Sequence, residues 1–379
     1  MTKLFREFFE SEKAGGFILI IATIISLIIS NTSLGGDYLD FWHMKLGSHS
    51  LGHWINDGLM AIFFLLIGLE LEREIYKGEL SNIKDASLPI FAAIGGMVFP
   101  AGLFLVFNYG TETQSGAGIP MATDIAFALG VLSLLGKRVP VALKVFLTAL
   151  AVIDDLGAIL IIAFFYTKTL LWSNLFIALG IFALLLVLNK LKVKNLVIYL
   201  AGGVVMWYFM LNSGVHATIT GVLLAFAIPF GKGDEKSPSY ILQHILHKPV
   251  AFFILPLFAL ANTAIVLSSD IVQVLSEDYS LGIATGLIVG KPLGVFLMSY
   301  LAVSLGISKL SSGIEWKSIF GVGLLAGIGF TMSIFITLLA FEDVMIINNA
   351  KLVILIASLV SGILGFVLLK MSLKKEIEQ

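Results

Sequence analysis

Asp154 and Asp155 stand side by side in the run Ala151-Val-Ile-Asp-Asp-Leu-Gly-Ala158, where every other side chain is apolar or absent. Neighbouring residues on a helix point about 100° apart, so one of the two acids can line a cavity while the other turns towards an adjacent helix. Two carboxylates this close in a low-dielectric medium cannot both remain ionised without a compensating charge, which a proton, a metal ion or a lysine can supply. Competition between a proton and a cation for such a site is itself a means of exchange. Asp57, Asp124 and Lys291 also interrupt apolar runs. A charged side chain at the centre of a membrane-spanning helix costs about 3 kcal/mol. Glu70, Glu72, Arg73 and Glu74 close an apolar run, where long side chains can reach an interface. Asp154 has no such escape: counted from Val141 it lies about 20 Å along a helix. Lys291 is about ten residues into its own run, and four acids facing one base exceed what structural ion pairing requires.

The elements that position these groups follow from composition. The chain has 379 residues, 58% hydrophobic and 13% charged, with a net charge of −1 and a mean hydropathy of +1.00. Soluble domains carry about a quarter charged residues, so this surface is not built for water. There is no cysteine, which excludes disulfides and thiolate metal sites. No basic patch with interleaved aromatics points to nucleic acid, and no cofactor is implied. Leu4, Phe5, Phe8 and Phe9 fit either a short interfacial helix or a solvated helical lead-in. The apolar run after them ends without a cleavage pattern and reads as a first span.

A membrane helix needs roughly 20 mostly apolar residues, and twelve segments qualify: about 14–31, 53–70, 86–108, 118–136, 141–166, 172–189, 195–212, 214–230, 249–268, 281–304, 318–340 and 348–369. The expectation is an all-α membrane protein, one membrane domain over residues 1–379, with soluble pieces no longer than about 32–52 and 231–248. With this numbering 20 of the 24 basic residues fall on one side, only Lys45, Lys168 and Lys351 on the other, and Lys291 within a span. The bias predicts that both termini are cytoplasmic.

Two spans carry helix breakers. Gly118-Ile119-Pro120-Met121-Ala122-Thr123-Asp124 and Gly327-Ile328-Gly329-Phe330-Thr331-Met332-Ser333 align without gaps on Gly, Ile and a breaker. Freed backbone groups at membrane depth are tolerated where they face a cavity or protein. Broken helices also present partly positive N-termini and partly negative C-termini, which Asp124 and Lys291 are placed to balance.

Together with Asn56-Asp-Gly-Leu-Met60, Gly68-Leu-Glu70, Ala122-Thr-Asp-Ile-Ala-Phe-Ala-Leu-Gly130, Ser213-Gly-Val-His-Ala-Thr218 and Gly290-Lys-Pro-Leu-Gly294, these motifs closely resemble the NhaA-type Na⁺/H⁺ antiporters over essentially the whole chain. Corresponding interruptions in two halves of a chain point to the binding site of an inverted-repeat transporter, an architecture of which that family is itself an example. The resemblance implies twelve transmembrane helices with inverted-topology repeats (helices 3–5 and 10–12). It implies two unwound, crossing helices, broken here at Pro120, Gly327 and Gly329. It implies exchange of one Na⁺ or Li⁺ for two protons across a bacterial inner membrane, activation at alkaline pH, and a homodimer joined by a hairpin at residues 37–50. By motif, Asp155 is the principal ligand for Na⁺ or Li⁺. Asp154 is its partner, paired with Lys291, and Thr123 is an extra oxygen ligand. Asp124 compensates the unwound helices, while Asp57, Glu70, Glu74 and His216 are supporting or pH-response residues. Gln243 and Glu72 depart from the family pattern, where a glutamate and a base are usual. Hard alkali cations favour such oxygen donors.

Two other readings have handles in the sequence. Gly231-Lys-Gly-Asp234 matches the Gly-x-Gly-Asp pattern of intramembrane aspartyl proteases, but in a lysine-bearing loop. A passive cation channel has no need of titratable pairs, and no repeated filter loop is present.

Overall fold

Apolar runs of this length can satisfy their backbone inside hydrocarbon only by coiling into helices, and a computed structural model shows a helical protein. It describes residues 3–166, 170–267, 270–310 and 313–373, with side chains from residue 14 onward apart from residues 79, 83–85, 137 and 164. Lys168, Lys374 and Lys375, used for the orientation, lie outside the described residues.

The order is α1 (Lys3–Ser30), α2 (Gly35–His43), a hairpin of β1 (Lys45–Leu46) and β2 (His49–Ser50), and α3 (Leu51–Tyr76). Next come α4 (Ile83–Asn108), a 3₁₀ segment (Gln114–Met121), α5 (Ile125–Ser133), α6 (Val141–Phe165), α7 (Trp172–Lys190), α8 (Leu196–Leu211) and α9 (Ile219–Ala227). The chain continues with α10 (Pro238–Asn262), α11 (Ile271–Ser276), α12 (Asp278–Ser304), α13 (Trp316–Ala326), α14 (Phe330–Ala340) and α15 (Val344–Ser372). Among the described residues, 8 helices are long and apolar enough to cross a membrane, or up to 10 if each of two bent pairs is one span. The pairs are α1 with α2, bent by 115°, and α13 with α14, bent by 48°. The apolar segments picked out from the sequence overlap helices, two of them across a break (118–136 and 318–340), while α8 has 16 residues and α9 only 9.

Of the two readings for Leu4–Phe9, the structure has a helical lead-in continuous with α1, which starts at Lys3. Two other expectations about local structure change. α10 starts at Pro238, not near residue 249, because Gln243 and His247 are buried against the protein and the helix runs through Pro249 into a π turn at Val250–Ile254. Glu70 and Glu72 do not reach out from a helix end. They are 6% and 4% exposed.

α4 and α12 lie backbone to backbone at Gly95 and Gly294, where a Cβ on either would strike the carbonyl of the other. α3 meets α9 in the same manner at Gly221, whose Cβ would fall on the Ala61 carbonyl. Such approaches need glycine on steric grounds alone.

The two helix breaks touch. Ala122 and Asp124 are extended, and Asp124 caps α5 by accepting the Phe127 N–H at 2.9 Å. The Asp124 N–H donates to the Ile328 carbonyl at 2.7 Å, in the gap between α13 and α14. Asp124 Oδ2 accepts from the Thr331 N–H at 3.1 Å and from the Thr331 hydroxyl at 2.5 Å. Ser333 Oγ donates to the Ile119 carbonyl at 2.7 Å, and Ser358 on α15 accepts the Phe330 N–H at 3.1 Å. One carboxylate thus serves two helix N-termini, α5 and α14, whose partial positive charge favours an anion.

Asp124→Ala should lower the thermal midpoint in detergent, since it removes a cap worth about 1 kcal/mol and strands a buried N–H at a cost of about 1–3 kcal/mol. An unchanged midpoint would show that the breaks do not depend on it. Gly294→Val should cost about 1–3 kcal/mol through overpacking against α4, read as a lower midpoint or loss of monodisperse protein.

Candidate functional site

α6 carries the paired acids into the middle of the bundle, each 1% exposed. Asp154 turns to α12, where its Oδ2 is 2.7 Å from Lys291 Nζ in a pair with no exposure on either side. The same ammonium donates to the Met121 carbonyl, at the C-terminal end of the 3₁₀ segment, where partial negative charge accumulates. Thr123 Oγ1 lies 2.9 Å from both Asp154 Oδ2 and the Ala326 carbonyl, so its single proton serves one of them at a time. Lys291 follows a π turn at Gly286–Gly290, and Gly96 on α4 leaves room for its aliphatic stem. π turns recur where a side chain must be re-aimed for function.

Asp155 is arranged differently. Neither of its oxygens, nor Asp154 Oδ1, has a hydrogen-bond partner among the described residues. It faces a cavity of about 10 Å³ shared with Glu70, Asp124 and Thr331 and walled by Phe63, Leu66, Ile67, Val250 and Leu255. That volume is close to what one water-sized sphere occupies. Ionised carboxylate oxygens buried without donors are costly enough that a bound proton or cation must neutralise them. The site therefore divides by partner. Asp154 is held by the Lys291 ammonium, and Asp155 opens onto a space the size of one water.

The remaining sequence candidates lie at two further places. Glu70 reaches the cavity and pairs with His247 Nε2 at 3.1 Å, joining α3 to α10. Glu74 is one helical turn beyond Glu70, half-buried. Asp57 stands near the other end of α3, which begins at Leu51. It sits in a π turn at Trp54–Leu59, partly exposed, with its Oδ2 3.1 Å from His53 Nε2. His216 bonds the Tyr166 carbonyl at 3.0 Å, just past the C-terminus of α6. Asp57, Glu74 and His216 are thus not brought to the acid pair. Pro120, Gly327 and Gly329 mark the two breaks.

The sequence did not single out His247 as the partner of Glu70, nor Thr331 and Ser333 as braces across the breaks. The last two lay within a quoted motif. The pairing had no local signal, since it joins residues far apart in the chain. Among the described residues no cluster of three or more His, Asp or Glu has the geometry of a metal centre. Asp234 is exposed in a turn, and the hydroxyl of Ser237, 2.9 Å away, holds its carboxyl below the usual carboxylate range. An acid kept ionised at the surface is no part of a membrane-embedded protease dyad.

Comparison with known proteins bears on the same residues. The sequence profile of the family described as Na⁺/H⁺ antiporter 1 matches residues 6–369. A protein from Flavobacterium psychrophilum named Na(+)/H(+) antiporter NhaA is 73% identical over 377 residues, covering 100% of this chain and 98% of its own length. Na(+)/H(+) antiporter NhaA 1 of Flavobacterium johnsoniae is 64% identical, covering 98% and 97%. The protein named Na(+)/H(+) antiporter NhaA from Dechloromonas aromatica is 59% identical, covering 97% and 95%. With the profile spanning both broken helices, the acid pair and its lysine, this multi-pass membrane protein belongs to the Na⁺/H⁺ antiporter 1 family.

Proposed function

We propose that the chain exchanges Na⁺ or Li⁺ for protons across a bacterial inner membrane, electrogenically and by alternating access. The observation that carries this reading is Asp155: a buried carboxylate with no donor, on a cavity sized for one small ion. A proton and an alkali cation each neutralise it, and occupancy by one opposes the other. Asp154 supplies the second charge. When a cation draws Asp154 away, Lys291 loses its counterion and can release a proton. Two protons per cation follow from this coupling, and with them net charge movement. Thr123 adds a neutral oxygen, Asp124 holds the two breaks together, and Glu70 with His247 guards the cavity on the lysine-rich side. Asp57, Glu74 and His216 act as supporting residues in this reading.

The same proposal places twelve crossings in the bilayer. α8 and α9 are short crossings, the 3₁₀ segment with α5 and the α13–α14 pair are the unwound, crossing helices of two inverted repeats, and both termini are cytoplasmic. The apolar ends of α2 and the β1–β2 hairpin, with Leu34, Phe41, Met44 and Leu46 exposed, suit contact with a second copy.

In everted vesicles with a preformed pH gradient, added Na⁺ or Li⁺ should collapse the gradient. Because protons compete for the same carboxylates, the Na⁺ concentration needed should rise as pH falls. Asp155→Asn should abolish both collapse and cation binding while leaving the fold intact. Wild-type turnover in that variant sinks the assignment, and Na⁺ flux that leaves the gradient untouched favours a passive channel. Lys291→Gln should shift the pH profile more than it weakens cation affinity; loss of folded protein instead would make the pair with Asp154 structural.

A further inference from the structure

A second cavity lies away from the acids. It is a groove of about 470 Å³ on the outer face of the bundle, between α12, α13 and α15. Pro292, Leu293, Phe320, Leu324, Leu364 and Met371 line it, and no charged residue does. Leu293, Leu364 and Met371 are 38%, 45% and 80% exposed, so the groove opens sideways towards lipid and not towards the ion site. Its volume falls in the range of about 300–1,000 Å³ typical of small-molecule sites.

One end of the groove is chemically marked. α13 and α15 run antiparallel in close contact, a Cβ on Gly321 meeting Leu369 at 2.7 Å and one on Gly365 meeting Leu325 at 2.7 Å. Phe320 and Met371 therefore stand at the same end. Beyond Phe320, one turn back on the same helical face, is exposed Lys317. Next to Met371 is exposed Lys370, its ammonium 5.8 Å over the Phe366 ring. Glu315 is the opposing charge nearby. Trp316 packs edge-on against Tyr300 at 5.2 Å and Phe296 at 5.8 Å, and Phe296 against Phe320 at 5.9 Å. Such amphipathic aromatics settle at headgroup depth. An apolar trough with two exposed lysines and an aromatic cluster beside one end matches a lipid with an anionic head.

We propose that this groove binds an anionic phospholipid, an acyl chain lying against Pro292, Leu324 and Leu364 and its phosphate held by Lys317 and Lys370. The lining adjoins the ion site. Pro292 follows Lys291 in the chain, Gly323 abuts Pro292, and Leu324 is one turn from the break at Gly327. A bound chain would thus brace α12 against α13 from the lipid side.

The test is retention of phosphatidylglycerol against phosphatidylcholine by the purified full-length protein, read by native mass spectrometry from mixed micelles. Phosphatidylglycerol should be preferred. The double variant K317Q/K370Q should weaken its retention roughly 25-fold, about fivefold for each lysine near an anionic head, with phosphatidylcholine unaffected. Leu364→Trp, at a half-exposed position that tolerates bulk, should reduce retention of both lipids by filling the trough. K190Q/K192Q, at the exposed end of α7, should change nothing. Equal retention of the two lipids by the wild type, or an equal loss in the Lys190 and Lys192 variant, would overturn the proposal. Binding is read without transport, so this result stands or falls separately from ion exchange.

Discussion

A carboxylate in hydrocarbon must be neutralised, and the bundle is organised around how the four acids about the central cavity meet that demand. Asp124 is met by three hydrogen-bond donors and two helix N-termini. Asp154 is met by Lys291. Glu70 has the His247 ring 3.1 Å away. Asp155 has none of these, and its counter-charge has to come from outside the protein. Of these four acids, Asp155 alone has neither an ion-pair nor a hydrogen-bond partner among the described residues. Specific function then arises from a difference in partners, since the four residues carry the same chemical group.

The breaks in the fourth and eleventh apolar segments make that difference possible. An unbroken helix buries its backbone dipoles along its own axis and offers nothing to a neighbour. Interrupting both segments at the same depth exposes carbonyls of Met121 and Ala326 and N–H groups of Phe127 and Thr331 within reach of side chains. Lys291 takes a C-terminal end and Asp124 takes the N-terminal ends, so each charge sits against the dipole of opposite sign. Helix fragments this short would be marginal alone, and here the side chains that tie them together are the ones that set the electrostatics.

Much of this was readable from the sequence because a charge inside an apolar run is expensive and therefore conspicuous. Asp154, Asp155, Asp124 and Lys291 announced themselves in that way, and Pro120 with Gly327 and Gly329 located the breaks. What escaped reading was decided by burial against distant segments. The stretch Gln243–Lys248 looks polar enough for a loop, yet it is helix because His247 turns inward onto Glu70. Glu72 looks like a surface residue at a helix end and is buried. Asp57 looks buried and is partly open, because the helix carrying it starts only at Leu51, close before it. The π turns at Trp54–Leu59, at Val250–Ile254 and ahead of Lys291 left no composition signal, since one extra residue per turn is a matter of packing.

The contact of α4 with α12 through Gly95 and Gly294 restricts how such a molecule can move. Main chain pressed against main chain has no rotamers to readjust, so these two helices shift as one stiff plank and carry Lys291 with them. Under the alternating access proposed above, Asp155 would be uncovered by displacement of its other walls, α3 and α10, which carry Phe63, Leu66, Ile67, Val250 and Leu255. The proposed hinge would then run along the cavity, and the glycine seam would stay closed in both states.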